Sequence, residues 1–293
     1  MDGILVINKE KGFTSHDVVA KLRGILHMKK IGHTGTLDPD ATGVLPVALG
    51  KGTKLVEFLT EKQKGYEAVL HLGLDTDTQD ITGTILTEKK VEVSEEQIRE
   101  TIAGFLGPQL QIPPMYSALK VNGKKLYELA REGIEVERKA RPVEFYSIEI
   151  KEIKLPFVKI DVLCSKGTYI RTLCHDIGEK LGCGACMESL CRTKSGAYLI
   201  KDSLLLAEVE AAVRSETIEE YVIPVEKVLA EFPVVNAVSM ADRLLDNGNP
   251  VGEHLVRNQV KGGWVRMYKS DGSFVGLYEW KKNRNQYFPY RIF

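Results

Sequence analysis

At 293 residues the chain is too long for one small core, and the usual ~100–200 residues per domain points to two units. Charged residues make up 27% and hydrophobic residues 43%, the balance of a globular chain, which excludes a low-complexity polymer. Net charge is zero, from 40 Lys and Arg against 40 Asp and Glu, so no overall field draws in a nucleic acid.

The first residues, MDGILVINKEKG, hold a short apolar run with no basic leader, and no apolar stretch reaches the ~20 residues that a bilayer span needs. A cytoplasmic protein without a membrane partner is the expectation. Gly3 to Asn8 alternates as a strand. Thr14 followed by Asp17 has the pattern of a capping box, and Val18, Leu22, Ile25 and Leu26 recur at helical spacing. That helix delivers the chain to IGHTGTLDPDATGVLPVALG, residues 31–50, with four glycines and two prolines. Glycine gives backbone freedom and proline removes it, so the segment reads as a shaped loop feeding a short buried strand from Leu45 to Leu49. A shaped loop holds a phosphate, a metal or one reactive side chain. Asp38, between Leu37 and Pro39, is the residue to explain, although alone it reads as a turn residue.

Thr53 to Glu61 reads as a second helix, and Tyr66 to Leu74 as a strand with Tyr66, Ala68, Leu70, Leu72 and Leu74 on one face. Ser94 with Gln97 opens a further helix, closed by Gly107 and Pro108. The stretch from Gln111 to Arg141, with two prolines, tyrosines and scattered lysines, reads as a protruding loop with one short helix ending at Gly133. Strands follow from Val143 to Ile153 and from Phe157 to Cys164, then a helix from Thr168 to Leu181 stopped by Gly182. A strand from Ser189 to Ile200 and an amphipathic helix from Ser203 come next. Pro224 and Pro233 bracket a linker-like stretch. Beyond it, a short helix from Ser239 and a hairpin from Trp264 to Trp280, turning at Asp271-Gly272, make a small β-rich unit from about residue 235.

Charge is unevenly spread: net +3 over residues 1–64, −6 over 65–112, +3 over 113–142 and +4 over 235–293. Local basic patches can bind phosphates whatever the total. Five cysteines clustered between 164 and 191 are an odd number, which argues against a secreted disulfide framework. Cys183 and Cys186 have the spacing of half a zinc site but no second pair, so the thiols read as reduced and structural, with no metal.

Several chemistries fail on spacing. Gly50-Lys51-Gly52-Thr53 looks like the end of a P-loop, but that motif needs glycine at Leu45 and a hydroxyl at Gly52. Asp75, Asp77, Gln79 and Asp80 begin like an EF-hand, but Asp80 stands where glycine is required and Leu86 where glutamate is, so the segment reads as a solvated strand-end turn. No serine or cysteine sits in a GxSxG elbow. A carboxylate in a rigid loop remains.

Residues 32–55, GHTGTLDPDATGVLPVALGKGTKL, closely resemble the active-site motif of the TruB-type pseudouridine synthases, which isomerise the T-loop uridine of tRNA. Lys64-Gly65-Tyr66, GLDTDTQDITG at 73–83, PPMYSALKVNGKKLYELAREG at 113–133 and GTYIRTLCHDIGEKLG at 167–182 resemble further motifs of that family, in family order. The resemblance implies an α+β fold. A catalytic domain over residues 1–232, around a mixed, mainly antiparallel sheet, would precede a β-rich PUA-like RNA-binding domain over 235–293. It implies conversion of uridine to pseudouridine at position 55 of tRNA, with no cofactor and no protein partner, by a monomer that grips the T-arm with its 113–142 loop.

By the same resemblance Asp38 is the catalytic residue, Tyr66 stacks on the flipped uracil, and Arg171 pairs with the carboxylate and keeps it ionised. His33 helps to wedge the base out, Lys9 supports the pocket, and Tyr169 and Leu190 line it. Without the resemblance Arg171 would read as a surface residue and His33 as a loop hydrogen-bonder. Two departures stand out. Asn8-Lys9-Glu10-Lys11-Gly12 lacks the family's proline after the lysine, which loosens that turn, and Cys191 stands where arginine is common. Two other readings stay open: a relative of the guide-RNA-dependent enzymes that modify ribosomal RNA, and an RNA-folding chaperone.

Overall fold

The apolar strands Gly3–Lys9 and Thr42–Leu49 lie side by side, buried over nearly their whole length. The computed structural model describes residues 1–60, 63–121 and 123–293. Among them the main sheet runs, in spatial order, through Ile223–Pro224, Gly3–Lys9, Thr42–Leu49, Ala185–Ser195, Lys64–Leu72, Phe157–Cys164, Arg141–Lys154 and Gly107–Gln111. Neighbours are antiparallel except at one seam, where Thr42 and Gly43 pair in parallel with Cys191 and Arg192. The sheet is thus mixed and mainly antiparallel, and the fold is α+β.

Helices cover one face on each side of the seam. Glu95–Ala103 and Ile170–Leu181 bury Ile98, Ile102, Leu173 and Ile177 against Ala68, Leu70, Val158 and Ile160. Ser15–Ile25 and Leu206–Arg214 bury Val18, Leu22 and Val209 against Leu5, Ile7, Leu45 and Val47. Both capping boxes form. The Thr14 hydroxyl accepts from the Asp17 N–H at 3.0 Å while the Asp17 carboxylate accepts from the Thr14 N–H at 2.8 Å, and Ser94 and Gln97 do the same.

Boundaries differ from expectation where glycine or proline redirects the chain. The helix opened by Ser94 ends at Ala103, and Gly107 instead starts an edge strand. Gly73, with φ +84°, turns the chain out of the main sheet, so Leu74–Thr76 pairs with Ile85–Glu88 in a separate hairpin. The second helix is a 3-10 turn, Gly50–Leu55, continued by Val56–Thr60; its expected last residue, Glu61, lies outside the described residues. The strand expected from Ser189 runs from Ala185 to Ser195, and Tyr198–Leu199 folds back on it. The amphipathic helix starts at Leu206 rather than Ser203.

The stretch between Pro224 and Pro233 is not a linker. Ile223–Pro224 pairs with Gly3 and Ile4, and Val225 and Leu229 are buried. They share an apolar cluster with Ile4, Ala48, Leu55, Leu59 and, from the C-terminal part, Leu277, flanked by Phe274, Tyr290 and Phe293. Residues 234–292 supply a second sheet of five strands, in which Trp264–Tyr268 and Phe274–Lys281 form the expected hairpin. All five cysteines are free thiols, and burial pushes those of Cys164 and Cys186 up to about 12. No helix among the described residues is long and apolar enough to cross a membrane.

Candidate active site

The loop between the short strand Ile31–His33 and Thr42–Leu49 is anchored on two sides. Lys9, with no exposed surface, donates from Nζ to the carbonyls of Glu10 at 3.0 Å, Phe13 at 2.7 Å and Pro39 at 3.0 Å. The Gly12 N–H also reaches the Pro39 carbonyl, at 2.9 Å, and the Leu37 N–H donates to the Ser15 hydroxyl at 2.9 Å. Both neighbours of Asp38 are therefore tied to residues 9–15. Three carbonyls fix the Lys9 ammonium without the family's proline, and burial lowers its pKa to about 8 against the pull of Asp38 and Asp40.

Arg192 holds the other side. It is buried and donates from Nε to the Val44 carbonyl at 2.7 Å, from Nη1 to Thr36 at 3.3 Å and from Nη2 to Gly35 at 3.4 Å. This approach requires Gly43, whose φ is +102° and where a Cβ would lie 2.3 Å from the Arg192 carbonyl oxygen. The sequence reading passed over Arg192 and noticed only Cys191 beside it, which is half-buried.

Asp38 keeps 40% of its side-chain surface open, and Arg171 grips it at two points. Arg171 Nε lies 3.1 Å from Asp38 Oδ2, and Nη2 lies 3.3 Å from Oδ1. Far from being a surface residue, Arg171 is only 5% exposed. Its remaining N–H groups reach the Asp80 carboxylate at 3.3 Å, the Thr78 carbonyl at 3.2 Å and the Tyr116 carbonyl at 2.9 Å. Burial raises the Asp38 carboxyl above its usual range; Arg171 pulls it back down, and Asp80 adds to the rise.

Asp80 corrects the reading of a solvated turn. Its side chain is 14% exposed, and Oδ1 accepts from the Thr78 hydroxyl at 2.9 Å, the Thr82 N–H at 3.1 Å and the Thr82 hydroxyl at 2.6 Å, while Oδ2 faces Arg171. The acidic run that fails as an EF-hand was the signal that could have found it.

Tyr66 lies on Lys64–Leu72, half-buried on the same face as Ala68 and Leu70, beside Arg192 on the neighbouring strand. Burial pushes its phenol up, and Arg192 opposes the shift. Tyr169 is the N-cap residue of Ile170–Leu181, and its phenol is also pushed up by burial. Asp38 lies near enough to raise both phenols further. Leu190 is buried with Leu37 and Ala41, under the Asp38 turn.

His33 stands at the other end of the loop, on a strand rather than in a turn, opposite Val47. Its ring meets His16 edge-on at 5.1 Å, its buried Nδ1 has no hydrogen-bond partner among the described residues, and burial lowers its pKa. Asp38, Tyr66, Arg171, Tyr169 and Leu190 thus gather at the seam of the sheet. Lys9 holds the Pro39 end of the loop, and His33 stands at its start, on Ile31–His33. Among the described residues no group of three His, Cys, Asp or Glu side chains could hold a metal ion.

Residues 23–170 match the family described as TruB family pseudouridylate synthase (N terminal domain), and residues 171–230 match the tRNA pseudouridylate synthase B C-terminal domain. The tRNA pseudouridine synthase B of Lachnoclostridium phytofermentans is 47% identical over 306 residues, covering 100% of both chains. That of Clostridium novyi is 47% identical over 278 residues, covering 94% of this chain and 95% of its own. Among solved structures, a chain of a Cbf5-Nop10-Gar1 complex superposes with a TM-score of 0.71 at 31% identity, covering 94% of this chain and 78% of that one. A chain of an H/ACA RNP bound to a substrate RNA containing 2′-deoxyuridine gives 0.72 at 27% identity, covering 99% and 84%. An open carboxylate on a doubly anchored loop, in a chain alike from end to end to these relatives, leads to one assignment: the protein belongs to the TruB family of pseudouridylate synthases.

Proposed function

We propose that the protein isomerises uridine to pseudouridine at position 55 in the T-loop of tRNA, with Asp38 as catalytic residue. The observation that carries this reading is the two-point Arg171–Asp38 pair, which aims an open carboxylate from a rigid loop. The reaction breaks the bond from uracil N1 to ribose C1′, turns the base and bonds C5 to C1′. It needs neither oxidant nor energy source, hence no cofactor. The ionised carboxylate either attacks C1′ or removes the C2′ proton to give a glycal.

A uridine in folded RNA must first be flipped out, at a cost of a few kcal/mol of unstacking. In this reading Tyr66 stacks on the uracil and assists proton removal at C5, Tyr169 and Leu190 line its pocket, and His33 keeps the vacated stack from closing. Lys9 and Arg192 keep the loop in shape. The catalytic unit is residues 1–232, its 113–142 segment grips the T-arm, and residues 235–293 form a PUA-like unit that contacts RNA further away. The protein acts as a monomer in the cytoplasm, with tRNA as its only macromolecular partner.

The likeness to chains of guide-RNA assemblies supports a second reading, in which partners deliver the substrate. Identity of 47% along whole relatives named for tRNA favours the first. Release of tritium from C5-labelled uridine in an isolated T-arm transcript separates them. Wild type is expected to release it unaided and Asp38→Asn to release none. Tight binding without release by wild type would overturn the enzyme reading, and full activity of Asp38→Asn would overturn the site.

A further inference from the structure

Gln111 ends the edge strand Gly107–Gln111, just before the 113–142 segment, yet it is only 4% exposed. Its amide behaves like one more rung of backbone. Nε2 donates to the Tyr169 carbonyl at 2.9 Å, and Oε1 accepts from the Tyr169 N–H at 2.8 Å. Tyr169 is the N-cap residue of Ile170–Leu181 and has no side-chain cap of its own, so Gln111 is what fixes the backbone where that helix begins. Arg171 lies two residues on. Five residues past Gln111 the same segment makes a second contact, the Tyr116 carbonyl accepting from Arg171 Nη2 at 2.9 Å.

We propose that Gln111 is a positioning residue that couples the 113–142 segment to Arg171, so that seating the segment on RNA and aligning Asp38 are one event. This rests on the reading of that segment as the RNA grip. The Arg171 guanidinium is shared between Asp38, Asp80, Thr78 and Tyr116, so a shift of the helix start or of the Tyr116 carbonyl alters its bonds to the carboxylate. No other side chain makes hydrogen bonds to both the N–H and the carbonyl of Tyr169 among the described residues. A rigid tie of this kind transmits displacement, whereas a loose loop would absorb it.

The test uses Gln111→Met, which keeps the length and loses both bonds, and Gln111→Glu, which keeps the acceptor and, while ionised, lacks the donor. The readouts are affinity for a T-arm hairpin, single-turnover tritium release, and the pH dependence of that rate. Asp38 faces Arg171 and Lys9 as cations and Asp80 and Asp40 as carboxylates. Weakening Arg171 therefore moves the acid limb of the rate to higher pH. The expected result for Gln111→Met is affinity within threefold of wild type, a single-turnover rate at least tenfold lower and an acid limb moved upward. Gln111→Glu is expected to recover towards wild type as pH falls and its side chain regains a proton to donate.

A folded Gln111→Met protein with the wild-type rate, or a folded Gln111→Glu protein with the wild-type rate at pH 8, where its side chain is ionised, overturns the coupling, as does a loss confined to affinity with the acid limb unmoved. Absence of tritium release by wild type in the same assay would overturn the functional reading beneath it. Wild-type activity with an indifferent Gln111 would overturn the coupling alone.

Discussion

Replacing Lys64 with methionine is expected to stabilise the protein, while the same change at Lys9 is expected to weaken it. Both side chains are buried, and burial lowers both pKa values from 10.5 to about 8. They differ in partners. Lys9 meets three carbonyls, whereas the buried Lys64 Nζ has no hydrogen-bond partner among the described residues and lies near the Arg192 guanidinium. A fall from 10.5 to about 8 corresponds to about 3 kcal/mol against the charged form. Methionine fills a similar volume without that cost, so a gain of about 1–3 kcal/mol at pH 7 is expected, or about 2–5 °C in Tm. At Lys9 the same relief is outweighed, because the Glu10 and Phe13 carbonyls lose their donor at about 1–3 kcal/mol each while the Pro39 carbonyl keeps the Gly12 N–H, for a net loss of about 2 kcal/mol.

The sign with pH follows from linkage. The folded pKa lies below the unfolded one, so the unfolded chain holds the extra protons between about pH 8 and 10.5, and wild-type stability rises across that window. The gain from Lys64→Met should be complete below pH 8 and gone near pH 10.5. Thermal melts at pH 7, 8.5 and 10 measure it. A Lys64→Met protein that melts below wild type at pH 7, or keeps its advantage at pH 10, would refute the reasoning.

Arg171→Lys offers one point charge where a planar fork served two carboxylates and two carbonyls. With the half-open Asp38 contacts discounted for solvent screening, about 3 kcal/mol is lost, and single-turnover release should fall about a hundredfold. Asp80→Asn removes a carboxylate that raises the Asp38 pKa, so the acid limb should move to lower pH even as the rate drops; a pH–rate profile reads the sign. Gly43→Ala sets a Cβ against the Arg192 backbone at a φ of +102°, and should cost about 2–4 kcal/mol in denaturant melts and lower the rate with it.

What could be read from sequence was local. Thr14 with Asp17 and Ser94 with Gln97 announce helix starts because donor and acceptor lie three residues apart. Asp80 was misread because the arginine that explains it is 91 positions away. Arg192 was missed for the same reason: its acceptors, Val44, Thr36 and Gly35, lie 148 to 157 positions away, and nothing in LCRT says so. The strand expected at Leu45 to Leu49 begins at Thr42, because Gly43 and Pro46 break the apolar pattern while the seam with Arg192 supplies the pairing. The roles of Asp38 and Arg171 came from resemblance to a family, since a lone carboxylate and a lone arginine carry no label of their own.

The apolar cluster shared by Ala48, Leu55 and Leu59 with Phe274, Leu277 and Phe293 bears on how the chain is made. The strand that leaves the Asp38 loop can pair with Gly3–Lys9 early in synthesis, but the patch of Ala48, Leu55 and Leu59 is covered only in part by Val225 and Leu229 until residues 274–293 emerge from the ribosome. Closing so long a span of chain is slow. During translation the nascent chain therefore carries an exposed apolar patch at the Leu49 end of that strand, away from the Asp38 loop, a surface on which a chaperone could act before any RNA does.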